Sequence, residues 1–199
     1  MSDAESDDRQ ETFVSQGGMG VVFETKLPVR WSSLHRVLTS MELAEINQRV
    51  ESVLHTVGNL DDQHMPLPED VSPFGPELAR LDFKLNLLLD LVGDLASRGL
   101  ERPPLRWVQI GARSVVWEDS LENAPEEVNS WGKLELWLHP FYPRALSLPA
   151  RVTSVENEGG SARITTELSG LGESAQEQLE RWIFSHHRRA VAHERPGNV

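Results

Sequence analysis

The first half of the chain carries apolar residues at helical spacing in two separate segments. Residues 41–60 place them three and four positions apart, which puts them on one face of a helix. This row consists of Leu43, Ile46, Val50, Val53 and Val57. Residues 77–97 repeat the same spacing over more turns, in the row Leu78, Leu81, Leu85, Leu88, Val92 and Leu95. Four prolines lie between the segments, so the pattern predicts two helices joined by a loop.

The second of these helices has a further apolar row on a different side, formed by Phe83, Leu87 and Leu91. A helix that is apolar over so much of its circumference needs two neighbours. One interpretation is a helical hairpin packed on the rest of its own chain. The other is that part of this surface meets other subunits. Two-fold association of hairpins, followed by pairing of these pairs, would then give four subunits with closed symmetry.

The second half alternates between apolar and polar positions, as strands with one buried face do. Four runs show this at residues 105–117, 132–139, 146–155 and 161–168, and an earlier strand-like run spans residues 21–27. The pattern predicts a β-rich region followed by a helix over residues 175–194. The expected core side chains are Val108, Ile110, Val116, Leu134, Leu136, Leu138, Leu146, Leu148 and Val152, with Lys133, Glu135 and Trp137 facing the other way.

Composition narrows the function classes. The chain of 199 residues has a formal net charge of −12, which disfavours nucleic acid as a partner, and it has no cysteine. It has no run of about 18 apolar residues and starts with an acidic, polar stretch, so we expect a cytoplasmic protein without a membrane segment. The histidines lack metal-ligand spacing, and no catalytic triad is visible, so neither a metal site nor an enzyme is predicted.

The basic end of the last predicted helix, from His186 to Arg195, has two interpretations. Cations at a helix C-terminus compensate the helix dipole. They also suit a phosphate or an acidic partner.

The order of these elements resembles the PilZ domain, a small β-barrel family whose typical members bind cyclic di-GMP. The two heptad helices ahead of the barrel are similar to an atypical branch in which inserted helices drive tetramer formation. The resemblance implies an α+β fold with a six-stranded antiparallel barrel, an inserted helical module and a C-terminal helix. It divides the chain into an acidic disordered tail (1–12), a strand segment (13–31), an oligomerisation module (32–100) and the barrel with its helix (101–195).

Typical members of this family bind the nucleotide through Arg-x-x-x-Arg and Asp/Asn-x-Ser-x-x-Gly motifs. The second motif falls on Gln109, Gly111 and Ser114, so none of its three diagnostic residues is retained. A serine in place of the glycine is costly if that position needs a positive φ. The first motif has only the spacing match of Arg98 and Arg102, too close to Gln109 to leave the usual strand between them.

The sequence therefore predicts a non-enzymatic adaptor in cyclic di-GMP-related signalling. It associates with itself, as a tetramer, through the two helical rows, and it has a further signalling protein as partner and no cofactor. The alternative is a true cyclic di-GMP receptor with a rearranged site that uses Arg98, Arg102, Arg106 and Gln109.

Overall fold

The computed structural model describes residues 21–63, 80–81, 84–85, 88, 91–92, 102–125, 127–140 and 142–193. Residues 80, 81, 84, 85, 88, 91 and 92 are helical. The remaining elements, in chain order, are β1 (Val22–Ser33), α1 (Ser40–Gln63), β2 (Leu105–Gly111), β3 (Ser114–Ser120), β4 (Trp131–Leu136), β5 (Leu146–Glu158), β6 (Ser161–Leu168) and α2 (Glu173–His193).

The six strands form a closed antiparallel barrel in the order β1-β2-β3-β6-β5-β4. This confirms the predicted barrel. Closure depends on β1, whose first half pairs with β2 from Val22 to Pro28 and whose second half pairs with β4 from Val29 to Ser33. Strand β1, which covers most of the predicted strand segment at residues 13–31, thus supplies two of the six strand pairings of the barrel.

The barrel interior follows the predicted alternation, with one shift of phase. Val108, Ile110, Leu134, Leu136, Leu146, Leu148 and Val152 are fully buried, as expected, and Leu138 packs against the core in part. Val116 is also buried but pairs with Gln109, so it lies on the outer face, while Val115 and Trp117 point inward. The cause is the turn at residues 112–113, which divides the run at 105–117 into two strands and resets the alternation.

Helices α1 and α2 pack against each other, and α2 also contacts β1 and β2. Val50, Val53, Leu54 and Val57 of α1 join Ala175, Leu179, Trp182 and Ile183 of α2 in the main core. Most of the predicted apolar row of α1 is thus buried within one chain, with Leu43 and Ile46 half-buried. The row needs no second subunit to account for it.

The N-terminal half of α1 is fixed to the connection between β6 and α2. The Asn47 side chain donates to the Gly170 carbonyl (3.0 Å) and accepts from the Gly172 amide (2.8 Å). Gly170 has a φ of 82°, and a Cβ there would lie 2.8 Å from Leu43. This position therefore requires glycine for both its backbone and its close contact with α1.

A capping box starts α1. The Thr39 amide donates to the Glu42 carboxylate (2.9 Å), and the Glu42 amide donates to the Thr39 hydroxyl (3.3 Å). The Arg36 guanidinium also bonds this carboxylate, and together with Thr39 it holds the pKa of Glu42 well below its usual range.

A group with a lowered folded-state pKa stabilises the protein above its unfolded pKa, and the stabilisation is lost as pH falls. At pH 7 we therefore expect Glu42→Gln to melt below the wild type. The difference in Tm should begin to shrink as the pH drops below the ordinary carboxyl value of 4.5. Thermal melts from pH 7 to pH 3 measure this, and a difference that stays constant over the range would contradict the assignment.

Gly132 on β4 gives the closest test of packing in the barrel. A Cβ at this position would lie 2.1–2.5 Å from three ring carbons of Trp31, which stacks on Trp117 at 5.9 Å. We expect Gly132→Ala to lower the free energy of unfolding by about 1–3 kcal/mol, the usual cost of overpacking. The control is Gly58→Ala within α1, where no atom lies within 4 Å. It should stabilise by up to about 1 kcal/mol, and urea unfolding that ranks the two variants in the opposite order would refute this account.

Candidate functional site

The predicted ligand motif lies on the hairpin of β2 and β3. Gln109 is central on the outer face of β2, opposite Glu24 of β1 on one side and Val116 of β3 on the other. Gly111 ends β2 opposite Val22, and a Cβ there would lie 3.4 Å from the Ser114 hydroxyl. The Gln176 side chain of α2 donates to the Ala112 carbonyl, so α2 holds the turn between the strands. The three predicted positions are thus brought together on one surface, which we call the motif face.

A hydrogen bond between two strands lies at the centre of the motif face. Gln109 Nε2 donates to Glu24 Oε1 over 2.8 Å, and both side chains are partly buried. One amide hydrogen of Gln109 is therefore already committed. The partner also places a carboxylate at the centre of the motif face.

Ser114 fits its position without backbone strain. Among the described residues other than glycine, only Asn129 has a positive φ. The conformational cost that a serine would carry in the left-handed region therefore does not arise here.

The arginines of the predicted alternative site do not converge on the motif face. Arg106 is three residues from Gln109 on the same strand, so the two side chains lie on opposite faces of β2. Its guanidinium forms an ion pair with Asp119 (Nη2–Oδ1 2.8 Å), and the two side chains are only 26% and 10% exposed. Arg102 is half-buried ahead of β2, and Arg98 lies outside the described residues.

Sequence reasoning missed two features of the outer barrel surface. Glu24 was not singled out, although its alternation within β1 places it on the outer face. Trp107 is two residues from Gln109 and shares its face, and the Arg163 guanidinium lies 4.9 Å from its ring centroid. The sequence pattern marks Trp107 only as one apolar residue of a strand, because Arg163 is brought next to it by the pairing of β3 with both β2 and β6.

A second surface of interest is the apolar strip, which we define as Leu81, Leu85, Leu88, Leu91 and Val92. Each of these five helical side chains is between 52% and 59% exposed. Four belong to the predicted heptad row and Leu91 to the second row. The other members, Leu78, Leu95, Phe83 and Leu87, lie outside the described residues. Continuous apolar exposure of this kind marks an interaction surface in a soluble protein.

Two chemical possibilities receive no support within the described part of the chain. No group of three or more His, Cys, Asp or Glu side chains there is arranged to hold a metal ion. None of the helices described is long and apolar enough to cross a membrane.

Comparison with known proteins identifies the family of the chain. The model of the atypical PilZ domain, described as a cyclic di-GMP receptor, matches residues 54–196, well over half of the chain. A solved structure of a pathogenic protein from Xanthomonas campestris, a tetrameric PilZ domain self-assembled through a helical bundle, matches with a TM-score of 0.68 and 23% identity. The match covers 86% of this chain and 91% of that one.

A weaker match is the inhibitor of motility from Bacillus subtilis, with a TM-score of 0.36, 17% identity, and coverage of 46% of this chain and 44% of that one. No curated protein matches. With a closed six-stranded barrel and a family match over most of its length, the chain belongs to the atypical PilZ domain family and thus to cyclic di-GMP-related signalling.

Proposed function

We propose that the chain is a non-enzymatic, self-associating adaptor that acts through protein contacts and does not bind cyclic di-GMP at its motif face. The observation that carries this proposal is the bond from Gln109 to Glu24 at the centre of that face. A typical family site offers an acceptor for a guanine edge at this position. Here the side chain is an amide whose donor is used within the barrel, beside a carboxylate.

A ligand on the motif face would have to replace interactions that are already made there. Seating the nucleotide on the motif face requires breaking the Gln109–Glu24 bond and placing phosphate charge near Glu24. Hydrogen bonds to charged groups contribute about 1.5–3 kcal/mol each. The loss of two such contacts, relative to a typical family site, lowers the affinity by roughly two to four decades.

We therefore expect isothermal titration calorimetry of the full chain with cyclic di-GMP to give no dissociation constant below ~10 μM. Glu24→Gln removes the charge while leaving an amide that still bonds Gln109, so it tests the repulsion alone. Lys26→Gln changes charge two positions along the same outer face and is the matched control. Strong heat release from the wild type at low micromolar ligand would overturn the proposal.

The second candidate is a cyclic di-GMP receptor with a rearranged site, and the family description favours it. Its arginines would be Arg98, Arg102 and Arg106, together with Gln109. The separation of Arg106 and Gln109 onto opposite faces of β2 argues against a single site made from both. If the wild type binds tightly and Arg106→Ala abolishes binding, the receptor is the correct interpretation.

We further propose that the apolar strip is the contact through which subunits associate, as a tetramer. The similar protein from Xanthomonas campestris is described as assembling through a helical bundle. Support from this chain is the exposure of all five strip residues, while the apolar row of α1 is mostly buried. Each side chain of this size contributes about 1.5–3 kcal/mol when it is fully buried, so five per subunit provide ample free energy for association.

Light scattering after size exclusion should give the mass of four chains for the wild type at about 50 μM, well above a typical micromolar dissociation constant. Leu85→Asp with Leu88→Asp should reduce the mass, because two charges cannot be buried unpaired in the bundle. Gln48→Asp with Ser52→Asp adds the same charge to exposed positions of α1 and should keep the wild-type mass. A monomeric wild type, or a Leu85/Leu88 variant with unchanged mass, would refute this assignment.

A further inference from the structure

An apolar groove lies between α2, the start of β1 and the turn that joins β2 to β3. It is lined by Val21 just ahead of β1, Ala112 of the turn, and Ile183 and Phe184 of α2. Ile183 is buried, but the side chains of Phe184 and Val21 are 51% and 41% exposed. The groove has a volume of about 630 Å³. An apolar groove of this size that leaves two large side chains half in water is typical of a docking surface.

The rim of this groove is polar and has a net negative charge. It consists of Glu177, Glu180 and Arg181, all on α2. Arg181 is paired with Glu177 (Nη2–Oε2 3.5 Å), which leaves the carboxylate of Glu180 as the excess charge. In a symmetric interface between two copies the same patch lies on both sides, so the two acidic rims would face each other. Like charges brought together in this way disfavour a partner, so a second copy is a poor occupant of the groove.

The chain itself has an apolar segment close to this groove. The described part of the chain begins at Val21, which lies in the wall of the groove, and residues 1–20 precede it. Phe13 and Val14 form an adjacent apolar pair with polar residues on both sides. Val14 is seven positions before Val21. The sequence therefore places a phenylalanine and a valine within a short tether of the exposed apolar side chains.

The tether has the composition and the length that such a contact requires. For the apolar pair to lie against the groove, the chain must turn between Val14 and Val21. Gly17, Gly18 and Gly20 lie in this interval, and glycine adopts the backbone conformations that tight turns need. Seven residues span at most about 25 Å. A pair tethered this closely has an effective concentration in roughly the millimolar range, which favours it over a separate protein.

We propose that Phe13 and Val14 fill this groove, so that residues 13–20 form a strap over α2 and the turn between β2 and β3. The two side chains pack against Phe184 and Val21 and remove them from water. A protein that presents an apolar side chain to the same groove must then displace the strap. This inference is separate from nucleotide binding at the motif face and from self-association through the apolar strip.

The test is paramagnetic relaxation in the full chain, which has no cysteine of its own. A nitroxide is attached to ¹⁵N-labelled Gln10→Cys, close to the apolar pair. If the strap occupies the groove, the backbone amides of Ala112 and Phe184 lose most of their intensity and recover it when the nitroxide is reduced. The amides of Gly132 and Ser161 lie at the opposite end of the barrel and should keep their intensity.

Two variants of the nitroxide-labelled chain identify the side chains that bind. Phe13→Ser with Val14→Ser should restore the intensity of the groove amides, because the apolar pair makes the contact. Val37→Ser is the matched control. It removes an apolar side chain that is 87% exposed in the connection between β1 and α1, and it should leave the intensity losses unchanged.

Three results would overturn the proposal. The first is full intensity at the groove amides of the nitroxide-labelled chain. The second is a loss of intensity that persists when Phe13 and Val14 are both replaced by serine. The third comes from a refolded mixture of ¹⁵N-labelled chains without nitroxide and unlabelled chains that carry it. Loss of intensity at the groove amides in this mixture would assign the groove to a second copy.

Discussion

The pairing of β1 with two partners is the constraint on which the rest of the structure depends. A single strand of twelve residues bonds β2 with its first half and β4 with its second half. Without it, the remaining strands would form an open sheet whose two edges carry unpaired backbone groups. Closing the barrel also makes the helical segment an insertion, because the chain leaves the barrel after β1 and returns to it at β2. The position of β1 therefore affects both the motif face and the helical surfaces.

Strand β1 also contributes a side chain to the centre of the motif face. Register places Glu24 opposite Gln109, and the alternation that puts these two outward puts Phe23 on the other side of β1. One side of the strand thus places a carboxylate beside the central motif position, while the other carries an aromatic ring to His186 of α2. The barrel fold is compatible with both roles, because pairing of the backbone fixes the strands while leaving the outer side chains open to change.

Local pattern was enough to predict much of the fold and little of the site. The alternation of Leu134 and Leu136 and the helical spacing of Val50, Val53 and Val57 report burial directly, since each depends only on neighbours in sequence. The elements that cover those side chains cannot be identified from neighbours in sequence. The row on α1 packs against α2 and β5, whose residues are about a hundred or more positions away.

Pairs that define the site are equally remote. Glu24 and Gln109 are 85 residues apart. Arg163 reaches Trp107 only across the pairing of β3 and β6. The phase shift at residues 112–113 was missed because neither Ala112 nor Arg113 is a typical turn residue, so the run at 105–117 looked continuous. The motif positions could therefore be located from the sequence. The partners that their side chains contact in the folded chain could not.

The most direct measurement of whether the motif face is closed follows the side-chain amide of Gln109 by ¹H–¹⁵N NMR during a titration with cyclic di-GMP. If Glu24 holds this amide, its two resonances should remain at their starting positions while the ligand is raised to millimolar concentration, and Glu24→Gln should move them without any ligand. A progressive, saturable shift of the Gln109 amide with the nucleotide would show that the face opens to ligand and would contradict the account.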